Sequence, residues 1–379
     1  MSVISITENK SYCQEEINEA VKLHFERFSI KEKLKPGMKV TIKPNLLMKR
    51  KPEEFTTTHP SLVEGTILFL QEIGIRDITV ADSPGGLYTA SALKGIYEAS
   101  GMAAVCEKTG AKLNFDTGFE NVGNETAKLV KSFPIINPVA QADFLIDICK
   151  LKSHGMTGLS GGVKNLFGCI PGLTKPEFHW RFPQKELFCQ MLVDLCETVQ
   201  PDFVLTDAVV SMEGNGPSGG TKRETGLILA SDSPYDLDYY LSWLIGLEPQ
   251  EILTVKAAVE DGLCVGCLED LELIGFSPKR IMDFKLPQDM SVDFISHVPG
   301  LFQKPVKAVT KRFLTTKPAI RKKDCVGCGK CAESCPAKTI QITDGKAQIN
   351  YSKCIRCFCC HEMCPVKAID MKRSRLFSR

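Results

Sequence analysis

The chain has 379 residues, of which 43% are apolar and 24% charged, a composition typical of folded globular proteins rather than disordered or membrane chains. No apolar run approaches the roughly 18 to 20 residues that span a bilayer, and residues 1–16 lack the basic region and apolar core of a secretory signal. We therefore expect a cytoplasmic protein without a membrane span. Eight of the 17 cysteines follow a regular pattern near the C-terminus, which suits metal ligands in a reducing compartment.

The net charge of +2 hides an uneven distribution along the chain. Residues 304–379 carry 18 Lys and Arg against 5 Asp and Glu, whereas residues 1–303 carry 29 against 40. A difference of this size predicts two units with different electrostatic roles. The eight basic residues between 304 and 323 would suggest nucleic-acid binding in another protein. Here we favour a linker that docks on the acidic body or partly offsets the negative charge of metal-bound thiolates, and we expect no nucleic-acid partner.

Helix-like and strand-like segments alternate over residues 1–285, the pattern of a parallel sheet with helices packed outside it. Hydrophobic periodicity predicts helices over 12–28, 62–73, 89–100 and 186–199, and strands over 39–42, 77–81, 144–150, 203–206 and 227–230. We predict an α/β domain with a doubly wound, mostly parallel sheet, followed by a second, small domain. The predicted boundaries are 1–285 for the α/β domain, 286–323 for a basic linker, 324–372 for the small domain and 373–379 for a basic tail.

Four loops after predicted strands carry polar side chains, and ligands of open parallel sheets bind beyond the carboxyl ends of the strands. The loops are KPN (43–45), DSPGG (82–86), the glycine-rich stretch 150–168, and 207–223. In the third loop, lysines supply positive charge, glycines let backbone N–H groups point at an anion, and His154 is suited to proton transfer. The alternative is a glycine-rich loop shaped by packing, with solvated lysines. Neither GxxxxGK[ST] nor GxGxxG is present, so no nucleotide is predicted.

These loops predict a pocket for an anionic small molecule. The candidate catalytic residues are Lys152, His154, Lys164, His179, Asp207 and Glu213. The candidate ligand-binding residues are Lys43, Asn45, Asp82, Ser83 and Asn165. Asp207 and Glu213 would act as acid and base or bind a metal, although two carboxylates six residues apart also occur without such a role. His179 has a structural alternative among its aromatic neighbours. Cys264 and Cys267 form a lone CxxC to which we assign no role.

Four segments taken in order resemble the signature segments of the domain-of-unknown-function 362 family. They are IKPNLL (42–47), ADSPGG (81–86), the stretch from Cys149 to Pro183, and the stretch from Asp207 to Ser231. The resemblance covers most of residues 1–285 and implies a pocket built from the candidate residues named above, without specifying a reaction. A more distant similarity to the lactate racemase fold is an alternative guide, although the sequence has no matching set of residues for a nickel cofactor.

The C-terminal cysteines form an internal repeat. CVGCGKCAESCP starts at Cys325, and CIRCFCCHEMCP follows 29 residues later at Cys354. Every cysteine and proline of the first copy has its counterpart 29 residues on, which indicates a duplicated half-domain. Cys359 has no counterpart, because Lys330 stands at the equivalent position, and it is therefore predicted to be a spare thiol. Zinc is the competing metal, since CxxC pairs also bind zinc.

Residues 318–372 closely resemble the bacterial two-cluster [4Fe-4S] ferredoxin domain, and the resemblance implies a small α+β domain with twofold symmetry. In that family the fourth cysteine of each CxxCxxCxxxCP run ligates the other cluster. The resemblance implies one cluster on Cys325, Cys328, Cys331 and Cys364 and a second on Cys354, Cys357, Cys360 and Cys335.

A ferredoxin domain fused to a pocket-bearing domain allows three functions. We favour electron transfer by two [4Fe-4S] clusters, which exchange electrons with a redox partner protein and deliver them to an anionic ligand in the α/β domain. This makes a ferredoxin-type oxidoreductase possible. The alternatives are a ligand-binding or regulatory module with a ferredoxin tail, and a non-redox isomerase or racemase-like enzyme with structural clusters. No flavin, haem or molybdenum motif is visible in the sequence.

Overall fold

A computed structural model describes residues 2–287 and 317–372. Most of the predicted basic linker and the whole predicted tail at 373–379 lie outside the described residues. The strands are β1 (Ser2–Glu8), β2 (Lys39–Pro44), β3 (Asp77–Val80), β4 (Lys112–Leu113), β5 (Phe119–Gly123), β6 (Ser132–Ile136), β7 (Phe144–His154), β8 (Gly158–Ser160), β9 (Phe203–Glu213), β10 (Thr221–Ser231), β11 (Leu271–Gly275), β12 (Lys317–Ile320), β13 (Ile340–Thr343), β14 (Lys346–Ile349) and β15 (Ile369–Lys372). The α-helices are α1 (Gln14–Arg27), α2 (Ile30–Lys33), α3 (Pro60–Glu72), α4 (Ala90–Ala99), α5 (Met102–Thr109), α6 (Asn137–Ala140), α7 (Gly162–Asn165), α8 (Lys175–Arg181), α9 (Lys185–Val199), α10 (Pro234–Leu244), α11 (Leu253–Glu260), α12 (Lys330–Glu333) and α13 (Cys359–Glu362).

The large sheet has nine strands in the order β11-β1-β10-β9-β7-β2-β3-β4, with β8 paired to β7. Strand β10 is antiparallel to its neighbours β1 and β9, and β8 is antiparallel to β7. The remaining pairs of this sheet are parallel. The carboxyl ends of β2, β3, β7 and β9 therefore meet at one edge of the sheet, where polar residues follow each strand.

Helices cover both faces of this sheet, so the predicted doubly wound α/β fold is confirmed. Successive side chains of a strand point to opposite faces. Ile146 and Ile148 of β7 pack with residues of α1, α3, α4 and α5. Leu145 packs on the other face with residues of α9 and α11, and Cys149 packs there with residues of α10. Strands buried on both faces read as nearly continuous apolar runs, which explains why segment 144–150 was recognisable in the sequence.

The four predicted helices are α1, α3, α4 and α9, and their observed ends lie within two residues of the prediction. Four strands are longer than predicted, and β2 continues two residues beyond 42. Strand β7 continues four residues beyond 150, β9 continues seven residues beyond 206, and β10 begins six residues before 227. The extensions of β7 and β9 are polar or contain small residues, and so they read as loops in the sequence. They carry several candidate site residues past the edge of the sheet.

The small domain is built from two halves related by the 29-residue repeat. Strand β12 pairs with β15, and β13 pairs with β14, both antiparallel. A shift of 29 residues carries β12 onto β14 and β13 onto β15, which is the arrangement expected of a duplicated half-domain. Because β12 belongs to this pairing, the small domain includes residues 317–323, which were predicted to be linker.

Candidate functional site

A pocket lies between the carboxyl ends of β2, β3 and β7 and the surface of the small domain. It encloses about 730 Å³, its open mouth included. Eight of the eleven candidate pocket residues line it: Asn45, Asp82, Ser83, Lys152, His154, Lys164, Asn165 and His179. Lys43, Asp207 and Glu213 do not line it. Eight predicted residues thus lie around one pocket, and their roles remain predictions.

A buried ion pair connects Asp82 of the pocket wall to Lys43 of β2. Lys43 Nζ is 2.9 Å from Asp82 Oδ1, and both side chains are almost completely buried. The backbone N–H of Leu46 donates to Asp82 Oδ2 at 3.0 Å. Burial alone would lower the pKa of Lys43, but the carboxylates of Asp82 and Asp147 raise it above its ordinary value. Lys43 therefore stays charged and holds Asp82 in place instead of meeting a ligand itself.

A chain of hydrogen bonds leads from the sheet to the pocket. Asn165 Nδ2 donates to Asp147 Oδ1 at 2.6 Å, and Asn45 Nδ2 donates to Asn165 Oδ1 at 2.7 Å. Lys152 Nζ then donates to Asn45 Oδ1 at 2.7 Å and to the carbonyl oxygen of Thr56 at 2.8 Å. Every acceptor in this chain is neutral except Asp147. The two asparagines thereby fix the position of the Lys152 ammonium at the pocket wall.

Burial changes the charge of Lys152. Desolvation, with further repulsion from Lys150 and Lys164, lowers the pKa of Lys152 from 10.5 to about 7. The group is therefore divided between ammonium and amine near neutral pH, and an anion in the pocket would favour the ammonium form. A lysine in this state can bind a negative charge or give up a proton.

Two further lysines face the pocket. Lys164 Nζ lies 4.5 Å above the Phe167 ring and has no hydrogen-bond or ion-pair partner within residues 2–287 and 317–372. Burial lowers the pKa of Lys164, and it lowers the pKa of Lys175 from 10.5 to about 7. Lys175 donates to the carbonyl oxygens of Ser83 and Pro84. With three lysines and only two carboxylates in its lining, the protonated pocket suits an anion.

Two histidines in the lining are neutral. His154 Nδ1 accepts from the backbone N–H groups of Met156 at 3.1 Å and Thr157 at 3.3 Å, so the proton of the neutral ring is on Nε2. That nitrogen is 3.5 Å from Glu362 Oε1. Burial lowers the pKa of His154 well below its ordinary value and lowers that of His179 to about 3. His179 stacks on Phe188 at a centroid distance of 4.4 Å.

Two buried polar atoms of the pocket residues lack partners. Ser83 Oγ and His179 Nδ1 have no hydrogen bond in the described part of the chain. Buried polar groups are almost always paired in folded proteins, so each such atom calls for a partner of its own. Both residues line the pocket, and a polar ligand would satisfy them.

The structure places Asp207 and Glu213 outside the pocket. Both lie in β9 and not in a loop, because that strand continues to Glu213. Asp207 accepts from Lys150 Nζ and from the Tyr12 hydroxyl, each at 2.8 Å, and is completely buried. Glu213 accepts from the backbone N–H of Lys285 at 3.1 Å. Both carboxylates hold the fold together at these contacts, and neither meets the predicted lysines and histidines of the pocket.

The small domain supplies part of the pocket wall that the sequence did not predict. Its contribution comes from Ser334, Cys359, Glu362 and Met363. The carbonyl oxygen of Glu362 accepts from Ser218 Oγ at 3.1 Å. A Cβ atom on Gly85 would lie 2.5 Å from Met363 Sδ, so the glycine permits close approach of the two domains. No sequence pattern within the small domain predicts this contact with the large domain. Lys175, also missed, lies inside the segment that carried the family resemblance.

Two cavities in the small domain are each framed by four cysteines. The first is lined by Cys325, Cys328, Cys331 and Cys364. The second is lined by Cys335, Cys354, Cys357 and Cys360. These are the two groups that the ferredoxin resemblance implies, with the fourth cysteine of each run crossing to the other group. Cys359 lines neither cavity and faces the pocket instead.

The backbone around both cavities suits thiolate-bound clusters. Gly327 and Arg356, which are 29 residues apart, have φ angles of 67° and 59°, and this left-handed conformation curves the loop around each cavity. The N–H of Ala368 donates to Cys364 Sγ at 3.1 Å, and the equivalent N–H of Thr339 donates to Cys335 Sγ at 3.3 Å. Such hydrogen bonds stabilise the negative charge of ligand sulfurs.

Sequence comparison agrees with this architecture. The profile described as "Domain of unknown function (DUF362)" matches residues 40–242, more than half of the chain. The chain belongs to the DUF362 family. A second profile, described as "4Fe-4S dicluster domain", matches residues 317–365. The small domain is therefore a ferredoxin-type domain that binds 4Fe-4S, and it is fused to the DUF362 domain.

Known proteins resemble parts of this DUF362 chain. The "Thylakoid-associated protein sll1697" of Synechocystis sp. is 30% identical over 265 residues, which make up 69% of this chain and 80% of the relative. The lactate racemase apoprotein from Thermoanaerobacterium thermosaccharolyticum aligns with a TM-score of 0.36 at 17% identity over 56% of this chain. A Thermotoga maritima protein aligns with a TM-score of 0.35 at 16% identity over 54%. The chain spans about half of each solved structure, 51% and 52% respectively.

Across residues 2–287 and 317–372 of the DUF362 protein, no helix is both long enough and apolar enough to cross a bilayer.

Proposed function

We propose that this protein transfers electrons through two [4Fe-4S] clusters to an anionic small molecule bound between its two domains. The observation that carries the proposal is the composition of the pocket wall. Lys152, Lys164 and Lys175 come from the DUF362 domain, whereas Ser334 and Cys359 come from the ferredoxin domain. The wall thus joins a positively charged anion site to the part of the ferredoxin domain that frames its second cavity.

The cysteine grouping supports two clusters and suggests their order. We assign cluster I to Cys325, Cys328, Cys331 and Cys364, and cluster II to Cys335, Cys354, Cys357 and Cys360. Ser334 precedes Cys335, and Cys359 precedes Cys360, so both pocket residues are adjacent to ligands of cluster II. Cluster II is therefore proposed to be the electron donor to the pocket, and cluster I the entry point for electrons.

The pocket residues have distinct tasks in this proposal. Bound clusters supply electrons one at a time at low potential. The ammonium groups of Lys164 and Lys152 hold the anion, and the desolvated pocket strengthens that attraction. A two-electron reduction also consumes protons. Lys152, with a pKa of about 7, is a better proton donor at neutral pH than His154, whose Nε2–H belongs to a neutral ring.

The electrons originate outside the chain, from a redox partner protein that becomes oxidised as the clusters are reduced. No bond forms or breaks in that transfer. The acceptor in the pocket takes up the electrons together with protons that enter through the open mouth. His154 is proposed to orient the acceptor by donating a hydrogen bond from Nε2, and Ser83 Oγ to offer a second polar contact.

The test is anaerobic reconstitution followed by ligand-dependent reoxidation. We expect about eight iron and eight sulfide per chain, and an EPR signal after reduction with dithionite. A panel of carboxylates and phosphate esters is then added to the reduced protein, and loss of cluster reduction is followed optically. Two zinc atoms per chain without an EPR signal would refute the cluster assignment.

The Lys164→Ala variant tests the pocket. Since Lys164 has no hydrogen-bond partner in the described structure, its removal leaves no acceptor unsatisfied, and the clusters should stay intact. Ligand-dependent reoxidation should fall at least about tenfold, whereas the surface variant Lys256→Ala should match wild type. Equal reoxidation by both variants would show that the pocket is not the site of reduction. Tight binding without reoxidation would point to a regulatory binding module instead.

A further inference from the structure

Some of the side chains around the two cysteine cavities differ in their exposure to solvent, although the repeat makes the cysteines equivalent. Three apolar side chains that line the first cavity are exposed: Val326 by 62%, Val366 by 42% and Ile342 by 39%. The residue equivalent to Ile342 in the other half, Met371, is only 2% exposed. Among the cysteines, Cys328 is exposed and its equivalent Cys357 half-buried, whereas Cys325 is buried and its equivalent Cys354 half-buried. The first cavity therefore opens to solvent through an apolar rim.

The DUF362 domain is the cause of this difference. A Cβ atom on Gly155 would lie 3.2 Å from Met371 Sδ, so that methionine is covered by the glycine-rich loop. Cys357 packs against the apolar core of the large domain, and Cys359 faces the pocket. Docking thus covers the half that carries most of the second cavity and leaves the first cavity on the outer side.

Lysines flank the first cysteine run in the sequence. Lys322 and Lys323 precede Cys325, and Lys330 follows Cys328 and lies 3.5 Å from a Glu333 carboxylate oxygen; all three lysines are exposed. Lys322 and Lys323 have no hydrogen bond or ion pair within the described residues 2–287 and 317–372. Over residues 317–372 there are 11 Lys and Arg against 5 Asp and Glu, a net charge of +6. Exposed, unpaired cations beside an apolar patch complement an acidic protein surface.

We infer that this rim is the docking surface for an acidic, one-electron carrier protein that reduces cluster I. We call it the docking face and define it as Val326, Ile342, Val366, Lys322, Lys323 and Lys330. The inference rests on the proposed function, because it assigns the entry point of the same electron path. Its apolar centre and cationic edge match the usual anatomy of a small, transient interface between redox proteins.

The step at the docking face is a bare electron transfer. The carrier loses one electron and the protein gains one, with no proton, bond or leaving group exchanged. Efficient transfer requires only that the carrier approach the exposed rim closely and often. Attraction between opposite charges raises the encounter rate by about 10- to 1,000-fold at low ionic strength, and salt removes that gain.

The test uses the complete reconstituted protein and reduced flavodoxin, an acidic carrier, in an anaerobic stopped-flow instrument. The variant is Lys322→Glu with Lys323→Glu, and the control is Lys256→Glu with Lys279→Glu, which makes the same charge change on the exposed surface of the other domain. At low salt we expect the second-order rate constant for cluster reduction to fall at least about tenfold in the variant and less than twofold in the control.

The salt dependence separates steering from a change in cluster potential. Near 0.5 M salt the variant and wild type should converge, because exposed charges are screened over a few ångströms. A rate difference that persists at high salt, an unchanged rate at low salt, or an equal loss in the control would each overturn the inference. Iron content and the dithionite EPR signal establish that the variant retains its clusters.

The docking face and the reduction of a pocket ligand are tested by separate measurements. Reduction by flavodoxin is measured without any pocket ligand, so it does not depend on what the pocket binds. Lys164→Ala should leave the flavodoxin rate unchanged while it impairs ligand-dependent reoxidation. If flavodoxin reduces the Lys322→Glu, Lys323→Glu variant as fast as wild type while Lys164→Ala still impairs reoxidation, the docking face is refuted. If Lys164→Ala is reoxidised like wild type while the double variant is still reduced slowly, the proposed function is refuted.

Discussion

Replacement of Lys152 by methionine should make the folded protein more stable at neutral pH and less stable in base. The side chain is completely buried, and its pKa falls from 10.5 to about 7 on folding. Since the folded state binds this proton less tightly than the unfolded state, stability is greatest above pH 10.5 and declines as the pH falls towards 7. Below pH 7 the full cost of burying the ammonium is present.

The free-energy cost of burying the Lys152 ammonium follows from the difference between its pKa in the unfolded and the folded state. At about 1.4 kcal/mol per pH unit, the change from 10.5 to about 7 corresponds to about 5 kcal/mol, of which about 4 kcal/mol remains at pH 7 and about 1 kcal/mol at pH 9.5. Methionine removes that cost but leaves Asn45 Oδ1 and the Thr56 carbonyl without their donor. Those two losses together amount to about 2–3 kcal/mol. The variant should therefore gain about 1–2 kcal/mol at pH 7 and lose a similar amount at pH 9.5.

The assay is anaerobic thermal unfolding of the reconstituted protein at pH 7.0 and 9.5, followed by circular dichroism. Lys152→Met should unfold a few degrees above wild type at the lower pH and below it at the higher pH. Lys256→Met, at an exposed position, serves as the control and should follow wild type at both. If Lys152→Met is less stable than wild type at pH 7, the ammonium is well accommodated, and the reasoning from desolvation is wrong.

Three further predictions concern the clusters and the pocket wall. Cys359→Ser should retain about eight iron per chain, and loss of half the iron would make Cys359 a ligand. Lys322→Gln with Lys323→Gln should lower the reduction midpoint by about 10 mV per charge removed in anaerobic titration, because positive charge favours the reduced state; no change or an upward shift would contradict this. Gly168→Ala would place its Cβ atom 2.1 Å from a carboxylate oxygen of the buried ion pair and should cost about 2–3 kcal/mol in urea unfolding. Gly266→Ala, with open space at its Cβ, should be nearly neutral, and an equal effect of both substitutions would dismiss the clash.

Cysteine spacing carried the most information in the sequence. Local spacing places the first three cysteines of each run together, and the ferredoxin resemblance implied the crossover of the fourth cysteine that the two cavities show. The strands of the parallel sheet were equally visible, because burial on both faces leaves a run of apolar residues. In these two cases the chemistry of neighbouring residues is enough to indicate the structure.

The errors arose where distant segments decide the environment. Asp207 was assigned to a loop because the predicted strand ended at residue 206, yet β9 continues to Glu213 and Lys150 neutralises the carboxylate. Cys359 was correctly separated from the two groups of four cysteines, but its position in the pocket wall depends on how the two domains pack. The positions of Glu362 and Met363 in the pocket wall also depend on the packing of the two domains. No spacing or periodicity within the ferredoxin segment indicates which of its faces the other domain covers.

The unequal exposure of the two halves has a consequence for damage by oxygen. A duplicated domain begins with two interchangeable sites, and burial of one half makes them chemically distinct. Exposed cysteine ligands are the ones that oxidants reach first, so Cys328 marks the half that air attacks. Brief aeration should therefore yield a protein that retains one cluster, the one beside the pocket. In the proposed two-cluster protein, the packing of the large domain would then protect half of the iron.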